Sequence, residues 1–466
     1  MRIILACLIA ASAFSSPQEQ EPARPNFLVV ITDDQRFDQL GCAGHPVLET
    51  PVMDSLAARG VRFTNAFVTT PICAASRASL MTGCWEGSHG YTFGTPPMGP
   101  ELASSSYFAQ LRNAGYRTTF AGKWGVRFDP GERAKLFDDM RPMGPPYLRK
   151  KGELAHLTTR TADAAIAQLP ENADGKPFCM TVSFNAPHAE DPHPDQYIPP
   201  PDLATMYDDA EVPVPPHATE GFAALPGFLQ ESLGRRRWGW RFDSREKQVR
   251  RTRDYWAMIS GVDRALGRIL SALEDRGLAD NTVVIFMGDN GYFLGERGLA
   301  GKWLIYEESI RVPLLIYDPR TKARGESKEA TPKGAPVTRD EMVLNVDIAP
   351  TLMELAGLRP ALSYEGQSLV PVIEGKSNGW RTDFLVEHRF NHKEIPTSVG
   401  LRGSRWVYAL YDGQDPPYEQ LFDLEADPAQ LKNLAQDEAF ADELSKARKR
   451  CISLRAMLKQ SAPDSK

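Results

Sequence analysis

Four short apolar segments, each followed at once by polar turn residues, constrain the fold of this 466-residue chain most strongly. Such segments, rich in β-branched and aromatic residues and bounded by turn formers, are typical of strands. Because their apolar stretches are mostly uninterrupted, we expect strands that are covered on both faces, as in a parallel sheet. The segments are residues 26–31, 117–121, 178–184 and 282–287.

A helical pattern lies just before the fourth segment. Apolar residues recur at intervals of three and four from Tyr255 to Leu273, and Gly277 follows as a stop signal. Alternating strands and helices predict an α/β fold, with a large, mostly parallel central sheet flanked by helices. We place this main domain at residues 24–358.

The hydrophobic pattern of the sequence changes after residue 358. Residues 384–388 and 405–410 resemble half-buried antiparallel strands, and a polar helix is predicted from about residue 437 to 458. We therefore predict a smaller C-terminal α+β subdomain at residues 359–466. Within the main domain, residues 199–253 break the pattern with several prolines, and we predict a long insertion there.

The composition excludes several classes of protein. Apolar residues make up 42% of the chain and charged residues 24%, which is ordinary for a globular protein and excludes a disordered or mainly membrane-embedded chain. The formal net charge is −6, so a generally basic nucleic-acid-binding protein is not expected. We predict no nucleic-acid partner.

The first residues indicate export. A positive start, an apolar run from Ile3 to Phe14 and small residues at 11–13 are typical of a signal peptide, which we place at residues 1–16. The alternative is a membrane anchor, but the run is shorter than the roughly 20 residues that a span needs. No other stretch is long and apolar enough to cross a bilayer, so we predict a periplasmic or secreted protein.

Five cysteines remain after the signal peptide. An odd number in an exported protein leaves one thiol for something other than a disulfide. If Cys73 is that residue, the other four could form two bridges or could all be buried free thiols. The four are Cys42, Cys84, Cys179 and Cys451.

The polar residues after the strands predict a site. Ligands of α/β sheets bind beyond the carboxyl ends of the strands, and charged, imidazole or amide side chains follow all four segments. Carboxylate and amide oxygens from the first and fourth segments favour a hard cation such as Ca²⁺ or Mg²⁺. The residues are Asp33, Asp34, Lys123, His188, Asp289 and Asn290.

A helix is predicted from Cys73 to Gly83. Cys73 would lie at its N-terminus, where free amides and the helix dipole favour an anion, and Arg77 would lie one turn later on the same face. The segment resembles the sulfatase signature, Cys-x-Pro/Ala-x-Arg followed by Leu-x-Thr-Gly. Further segments resemble sulfatase blocks in the same order, over nearly the whole mature chain; they are residues 32–35, 288–291, 301–302, 306–314, 346–352 and 421–428.

This resemblance implies an alkaline-phosphatase-like fold and hydrolysis of sulfate esters. It implies that a formylglycine-generating enzyme oxidises Cys73 to formylglycine (3-oxoalanine), whose hydrate is the nucleophile. It assigns a divalent metal, Ca²⁺ by default or Mg²⁺, to Asp33, Asp34, Cys73, Asp289 and Asn290. It gives catalytic roles to Cys73, Arg77, Lys123, His188 and Lys302.

The chain departs from the family at Gly125, where most sulfatases have a histidine that helps to expel sulfate. Some glucosamine-6-sulfatase-like members also lack it, and residues 65–71 resemble that branch. Either another base acts, with His89 as the candidate, or this step is slow, or the protein is inactive.

The substrate is expected to be a sulfated small molecule or polysaccharide. Arg235 and Trp238, in a basic stretch interleaved with tryptophan, are predicted to bind it, because arginine pairs with sulfate and tryptophan stacks on sugar rings. His193 is a further candidate for the substrate cleft. Two alternatives stay open: a carbohydrate-binding pseudoenzyme, and a phosphatase or phosphodiesterase on the same fold, which would usually need a histidine-rich zinc pair.

Overall fold

The computed structural model describes residues 24–461, apart from residues 152, 174 and 324–336. The predicted signal peptide, residues 1–16, lies outside the described residues. The strands are β1 (Asn26–Asp33), β2 (Val61–Phe63), β3 (Ala66–Phe67), β4 (Arg117–Gly122), β5 (Asp139–Pro142), β6 (Leu148–Lys151), β7 (Glu153–His156), β8 (Phe178–Pro187), β9 (Thr282–Gly288), β10 (Phe293–Leu294), β11 (Ala300–Gly301), β12 (Leu314–Tyr317), β13 (Val337–Arg339), β14 (Val343–Leu344), β15 (Asp383–His388), β16 (Ser398–Gly403), β17 (Trp406–Tyr411) and β18 (Tyr418–Asp423). The α-helices are α1 (Pro51–Arg59), α2 (Cys73–Thr82), α3 (Glu86–His89), α4 (Pro100–Ser105), α5 (Tyr107–Asn113), α6 (Leu157–Ile166), α7 (Glu220–Ala223), α8 (Gly227–Gln230), α9 (Leu233–Arg241), α10 (Arg245–Asp275), α11 (Glu307–Ile310), α12 (Arg320–Ala323), α13 (Ile348–Leu355), α14 (Val370–Ile373) and α15 (Ala441–Ser461).

The central sheet has eight strands in the order β13-β2-β12-β9-β1-β8-β4-β5. The four segments singled out in the sequence are β1, β4, β8 and β9, and they run parallel to one another. Strand β12 is antiparallel to both of its neighbours. The predicted α/β fold with a large, mostly parallel central sheet is confirmed.

The two faces of β1 enter different cores, which explains its continuous apolar sequence. Leu28 and Val30 pack on one face with residues of α6 and α10. Phe27, Val29 and Ile31 pack on the other face with residues of α2, α5 and α13. A strand covered by helices on both faces has no solvated side on which polar residues could alternate.

The second sheet is antiparallel, in the order β15-β16-β17-β18, and α15 packs against it. The predicted C-terminal strands and helix are therefore present. The sheet contacts the segment just before α2, because the Glu387 amide donates to the Thr69 carbonyl oxygen at 2.9 Å. The Trp85 indole donates to the Leu385 carbonyl oxygen at 2.9 Å.

Two details differ from the expectations or decide between them, and a third concerns membrane spans. The predicted insertion at 199–253 is largely helical: it holds α7, α8 and α9, and α10 begins inside it at Arg245. The five cysteines after the signal peptide are free thiols, so the alternative with two disulfides is wrong. No helix in the described part of the chain is long and apolar enough to span a membrane.

Candidate active site

Two paired strand ends bring the oxygen ligands together. Asp33 is the last residue of β1 and is fully buried, and Asp34 follows it with a φ of +65°. Asp289 and Asn290 follow β9, where the Asp289 amide donates to the Thr32 carbonyl oxygen at 2.9 Å. The Asn290 side-chain amide donates to Asp34 Oδ1 at 2.6 Å. The parallel pairing of β1 with β9 thus makes one cluster of these residues.

Helix α2 brings Cys73 into this cluster. Cys73 is the first residue of α2, and its Sγ lies within 4.8 Å of carboxylate oxygens of Asp33 and Asp289. Arg77, one turn later, donates from Nε to Asp289 Oδ2 at 2.8 Å and from Nη1 to the Lys123 carbonyl oxygen at 2.8 Å. Every residue of α2 is buried, so the helix N-terminus holds Cys73 firmly against the aspartates.

Two lysines and a histidine complete the cluster. Lys123 follows β4 and donates to Asp33, and Lys302 donates to Asp34. His188 follows β8, with Nε2 at 3.6 Å from Asp34 Oδ2. Its Nδ1 is bonded to the Ala189 carbonyl oxygen at 2.6 Å, and this bond turns Nε2 towards the aspartates. The structure therefore brings together all the residues to which the resemblance gave catalytic or metal-binding roles.

The charges of the cluster shift the pKa values of its members. Burial alone would raise the pKa of Asp33, but the cations of Lys123, His188 and Lys302 hold it well below its usual range. Burial and then the charge of Asp33 raise the pKa of Asp289 to about 7. Burial alone would lower the pKa of Lys302, but the neighbouring carboxylates, of which Asp34 has the largest effect, raise it. Burial lowers the pKa of His188.

Two orphaned oxygens show that these residues fit a divalent cation. Asp33 Oδ1 and Asn290 Oδ1 are buried and have no hydrogen-bond partner in the described part of the chain. Unpaired buried oxygens are costly unless a ligand satisfies them. Asp33, Asp34 and His188 offer three ligand atoms that lie within 4.8 Å of one another. A mainly oxygen set with one imidazole suits Ca²⁺ or Mg²⁺.

The backbone at Gly125 packs against the side chains of Arg77 and Lys123. Its φ is +75°, a left-handed conformation that favours glycine. A Cβ atom there would meet Arg77 Cδ at 3.1 Å. The Tyr91 hydroxyl donates to the Gly125 carbonyl oxygen at 3.4 Å and accepts from the Arg127 amide at 3.0 Å. Glycine therefore fits this backbone without strain, whereas a larger residue would need Arg77 to shift.

His89 does not have the environment of a catalytic base. Its Nδ1 accepts from the Tyr91 amide at 3.1 Å, and its Nε2 is bonded to the Ser79 hydroxyl at 3.0 Å. Burial, and then the charge of Arg389, lowers the pKa of His89 to about 3. Both ring nitrogens are used in local structure, so the prediction that His89 replaces the missing histidine is not supported.

His193 lies in a different cavity. It is half-exposed, and with Asp195, Arg250 and Asp254 it lines a cavity of about 980 Å³. The described lining of this cavity includes none of the residues that surround Cys73. That His193 lines the substrate cleft therefore stays a prediction, because the structure places it in a cavity whose described lining lacks the residues around Cys73.

Arg235 and Trp238 are engaged by the protein itself. The Arg235 guanidinium lies 3.8 Å from the centre of the Trp238 ring and 4.1 Å from that of Phe222. It also donates to the Gly298 carbonyl oxygen at 3.0 Å. These contacts stack the two side chains on each other within the protein, and their binding of substrate stays a prediction.

The sequence analysis missed residues that support the site. Asp191 pairs with both Arg237 and Arg241, and so ties α9 to the loop that carries His188. Ser183, on β8, is bonded to Arg77. The position of Asp191, three residues after His188 at the end of the third segment, was a signal for it. Nothing in the sequence indicated Ser183, which lies within an apolar strand.

Comparison with known proteins agrees with this geometry. The sulfatase family model matches residues 25–358, and the model of the N-sulphoglucosamine sulphohydrolase C-terminal region matches residues 295–457. A choline-sulfatase of Rhizobium meliloti is 31% identical over 89% of this chain and 83% of its own length. An N-acetylglucosamine-6-O-sulfatase of Bacteroides thetaiotaomicron is 24% identical over 99% of this chain and 91% of its own length.

A solved structure, described as in complex with its substrate D-glucosamine-2-N,6-O-disulfate, has a TM-score of 0.78 and 23% identity. The match covers 95% of this chain and 100% of that one. The fold and the site define a sulfuric ester hydrolase with an alkaline-phosphatase-like architecture. The chain belongs to the sulfatase family.

Proposed function

We propose that this sulfatase removes sulfate from a sulfated carbohydrate, with a formylglycine at position 73 and one Ca²⁺ or Mg²⁺ ion. The observation that carries the proposal is the convergence of Cys73, Asp33 and Asp289 within 4.8 Å at the edge of the sheet, with the buried Lys302 and the partly buried Lys123 beside them. The hydrate of formylglycine supplies the attacking oxygen, and a bound divalent ion supplies positive charge beside it.

The chain's own residues hold and move the remaining charge. Asp289 accepts the proton of the attacking hydroxyl, and Arg77 keeps its carboxylate in place through the 2.8 Å hydrogen bond. Lys123 and Lys302 face the transferring sulfuryl group, where preorganised positive charge lowers the barrier. His188 or Lys302 donates a proton to the departing alcohol oxygen.

A carbohydrate substrate is supported by two observations. Residues 65–71 resemble the glucosamine-6-sulfatase-like branch. A relative that aligns with nearly the whole chain is named N-acetylglucosamine-6-O-sulfatase. The apolar start of the chain supports export, to the periplasm or the outside of the cell, where sulfated polymers would be met.

One specific observation favours a second candidate, a carbohydrate-binding pseudoenzyme. Gly125 offers no imidazole where most sulfatases have one. The full set of lysines, Arg77 and Cys73 around the cluster argues for catalysis instead. The phosphatase alternative has less support, because His188 is the one histidine that shares this cluster in the described part of the chain.

The test is co-expression with a formylglycine-generating enzyme, followed by peptide mass spectrometry of position 73 and assay on defined sulfated saccharides. We expect formylglycine at Cys73 and release of sulfate from at least one saccharide. Cys73→Ala should abolish turnover, whereas Cys42→Ala, at another free thiol, should retain it. Full activity with an unmodified Cys73 would refute the mechanism, and saccharide binding without turnover would favour the pseudoenzyme.

A further inference from the structure

The loop between β15 and β16 brings an aromatic side chain to the active site from the C-terminal sheet. Phe390 packs against a small apolar group formed by Ile72, Ala75, Trp303 and Ile395. Ile72 directly precedes Cys73, and Trp303 directly follows Lys302. This loop therefore contacts residues that are adjacent in the chain to Cys73 and to Lys302.

An exposed aromatic ring continues this surface. Phe93 is 47% exposed, and its ring centre lies 5.2 Å from that of Phe390. On the other side, the His392 ring stacks on Phe390 at 5.8 Å and 29°. Among the described Phe, Trp and Tyr residues, the only other strongly exposed side chain is Trp240. We call Phe93, Phe390 and His392 the aromatic rim.

We propose that the aromatic rim binds the pyranose ring that carries the scissile sulfate, an inference that rests on the proposed function. The apolar face of a sugar ring packs on aromatic faces, and its hydroxyl edges stay free for water or polar groups. A ring held against the rim would place its sulfate ester towards Cys73 and Lys302, the neighbours of Ile72 and Trp303.

The charges around the rim favour an anionic sugar. The loop carries the exposed Lys393 and Arg389, which is paired with Glu387 at 3.3 Å, and its one carboxylate, Glu394, is paired with Arg236. The Arg237 guanidinium lies 5.0 Å from the centre of the Trp303 ring but is paired with Asp191, so Lys393 is the cation of this group that lies outside an ion pair among the described residues. Aromatic surfaces can also bind quaternary ammonium groups, but nearby cations repel them. The rim therefore suits a sugar with further sulfate groups better than it suits choline sulfate.

Hydrogen bonds on both sides hold the loop in place before any ligand arrives. The Arg389 amide donates to Glu86 Oε2 at 3.1 Å, and the Leu233 amide, at the start of α9, donates to the Glu394 carbonyl oxygen at 2.9 Å. Within the loop, the Ile395 amide donates to the His392 carbonyl oxygen at 3.1 Å. A surface that is already ordered loses little entropy when it binds a ligand.

The experiment measures binding separately from turnover. In a Cys73→Ala background, calorimetry gives the affinity for D-glucosamine 6-sulfate, D-glucosamine-2-N,6-O-disulfate and choline sulfate. The added variants are Phe93→Ala, Phe93→Tyr and Phe390→Ala. Leu362→Ala is the matched control, because that side chain is fully exposed and belongs to a loop outside the rim. Circular dichroism melts verify that each variant is folded.

We expect Phe93→Ala and Phe390→Ala to weaken binding of both sugars about tenfold, as the loss of one aromatic contact predicts. Phe93→Tyr, which keeps an aromatic face, should bind within about twofold of the parent, and so should Leu362→Ala. The disulfated sugar should bind more tightly than the monosulfated one, and choline sulfate should bind weakest.

Two results would overturn the inference. Unchanged sugar affinity in folded Phe93→Ala and Phe390→Ala variants would show that the rim does not contact the sugar. Tighter binding of choline sulfate than of either sugar would assign the rim to a quaternary ammonium group. The proposed function fails by a different readout: the formylglycine form would release no sulfate from any saccharide, whatever the binding data show.

Discussion

A Cβ atom added at Gly125 would lie 3.1 Å from Cδ of Arg77, so the backbone of this loop packs directly against the arginine that holds Asp289. The contact explains why the chain cannot accept the family's histidine here without movement. The missing histidine at position 125 is thus connected to the packing of Arg77, which this chain keeps.

We predict that Gly125→His lowers activity instead of restoring it. The left-handed φ of +75° disfavours any side chain, at a cost of about 1–2 kcal/mol, and the imidazole would displace Arg77. We expect kcat/KM to fall at least about tenfold, because small misplacements of catalytic groups are costly. Steady-state kinetics and thermal melts test this, with Gly125→Ala as the control for backbone strain alone. A more active Gly125→His would show that Arg77 tolerates the imidazole.

Pre-steady-state kinetics should show a burst of alcohol product followed by slower turnover. In the proposed mechanism, attack on sulfur uses Asp289 and the lysines, which lie in the cluster, whereas sulfate release lacks the imidazole that most sulfatases have at the position of Gly125. The two half-reactions are therefore affected unequally. Rapid-quench measurement of alcohol and sulfate from a single sample separates them. Fast turnover with no burst would show that no catalytic gap exists.

His89→Ala should act on stability and leave the burst unchanged. The buried ring is bonded to Ser79 and to the Tyr91 amide, and its removal leaves these groups unpaired, at a cost of about 1–3 kcal/mol. Urea unfolding measures that loss, and rapid-quench kinetics of the same protein verifies the burst. A larger burst in His89→Ala than in the parent would show that His89 assists sulfate release.

Metal analysis should find about one Ca²⁺ or Mg²⁺ per chain. The unpaired oxygens of Asp33 and Asn290 motivate this expectation. Asn290→Ala should lower the metal content and remove the stabilisation that added Ca²⁺ gives in a thermal melt, because a ligand that binds only the folded state raises its stability. Asn281→Ala, at a surface amide, is the control. Two zinc ions per chain would point to the phosphatase alternative.

Glu86 should make the protein less stable as the pH rises. Burial, and then the charge of Glu387, raises the pKa of Glu86 from 4.5 to about 8. Between these values the folded protein binds a proton that the unfolded chain releases. The free energy of unfolding therefore falls with rising pH, by at most about 1.4 kcal/mol per pH unit from this group.

Glu86→Gln removes this titration and keeps a side-chain oxygen for the Arg389 amide, which donates to Glu86 Oε2 at 3.1 Å. Urea unfolding at several values between pH 5 and pH 8 should therefore give a shallower decline for the variant than for the parent. Identical slopes would mean that Glu86 is already ionised at the lower end of this range.

The amino-acid sequence by itself determined where the strands end and which polar groups follow them. Segments such as 26–31 and 282–287 are local patterns, and their continuous apolarity requires cover on both faces. Parallel strands end at one edge of the sheet, so the sequence placed Asp33 and Asp289 at the same edge. The pairing of β1 with β9, which makes them neighbours, belongs to the tertiary structure. The helix that begins at Cys73 and stops at Gly83 was likewise predictable from a local pattern. The resemblance to sulfatase motifs then gave these residues their expected roles.

Only the tertiary structure decided which side chains meet across long separations in the chain. The sequence shows that Arg235 is positively charged but not what it contacts. Its stacking on Trp238 and Phe222 depends on how α7 and α9 pack together. The aromatic rim likewise joins Phe93 to Phe390, which a sequence pattern cannot relate. Local propensity acts over a few residues, whereas such contacts follow from the packing of the whole core, and that packing exists only in the folded chain.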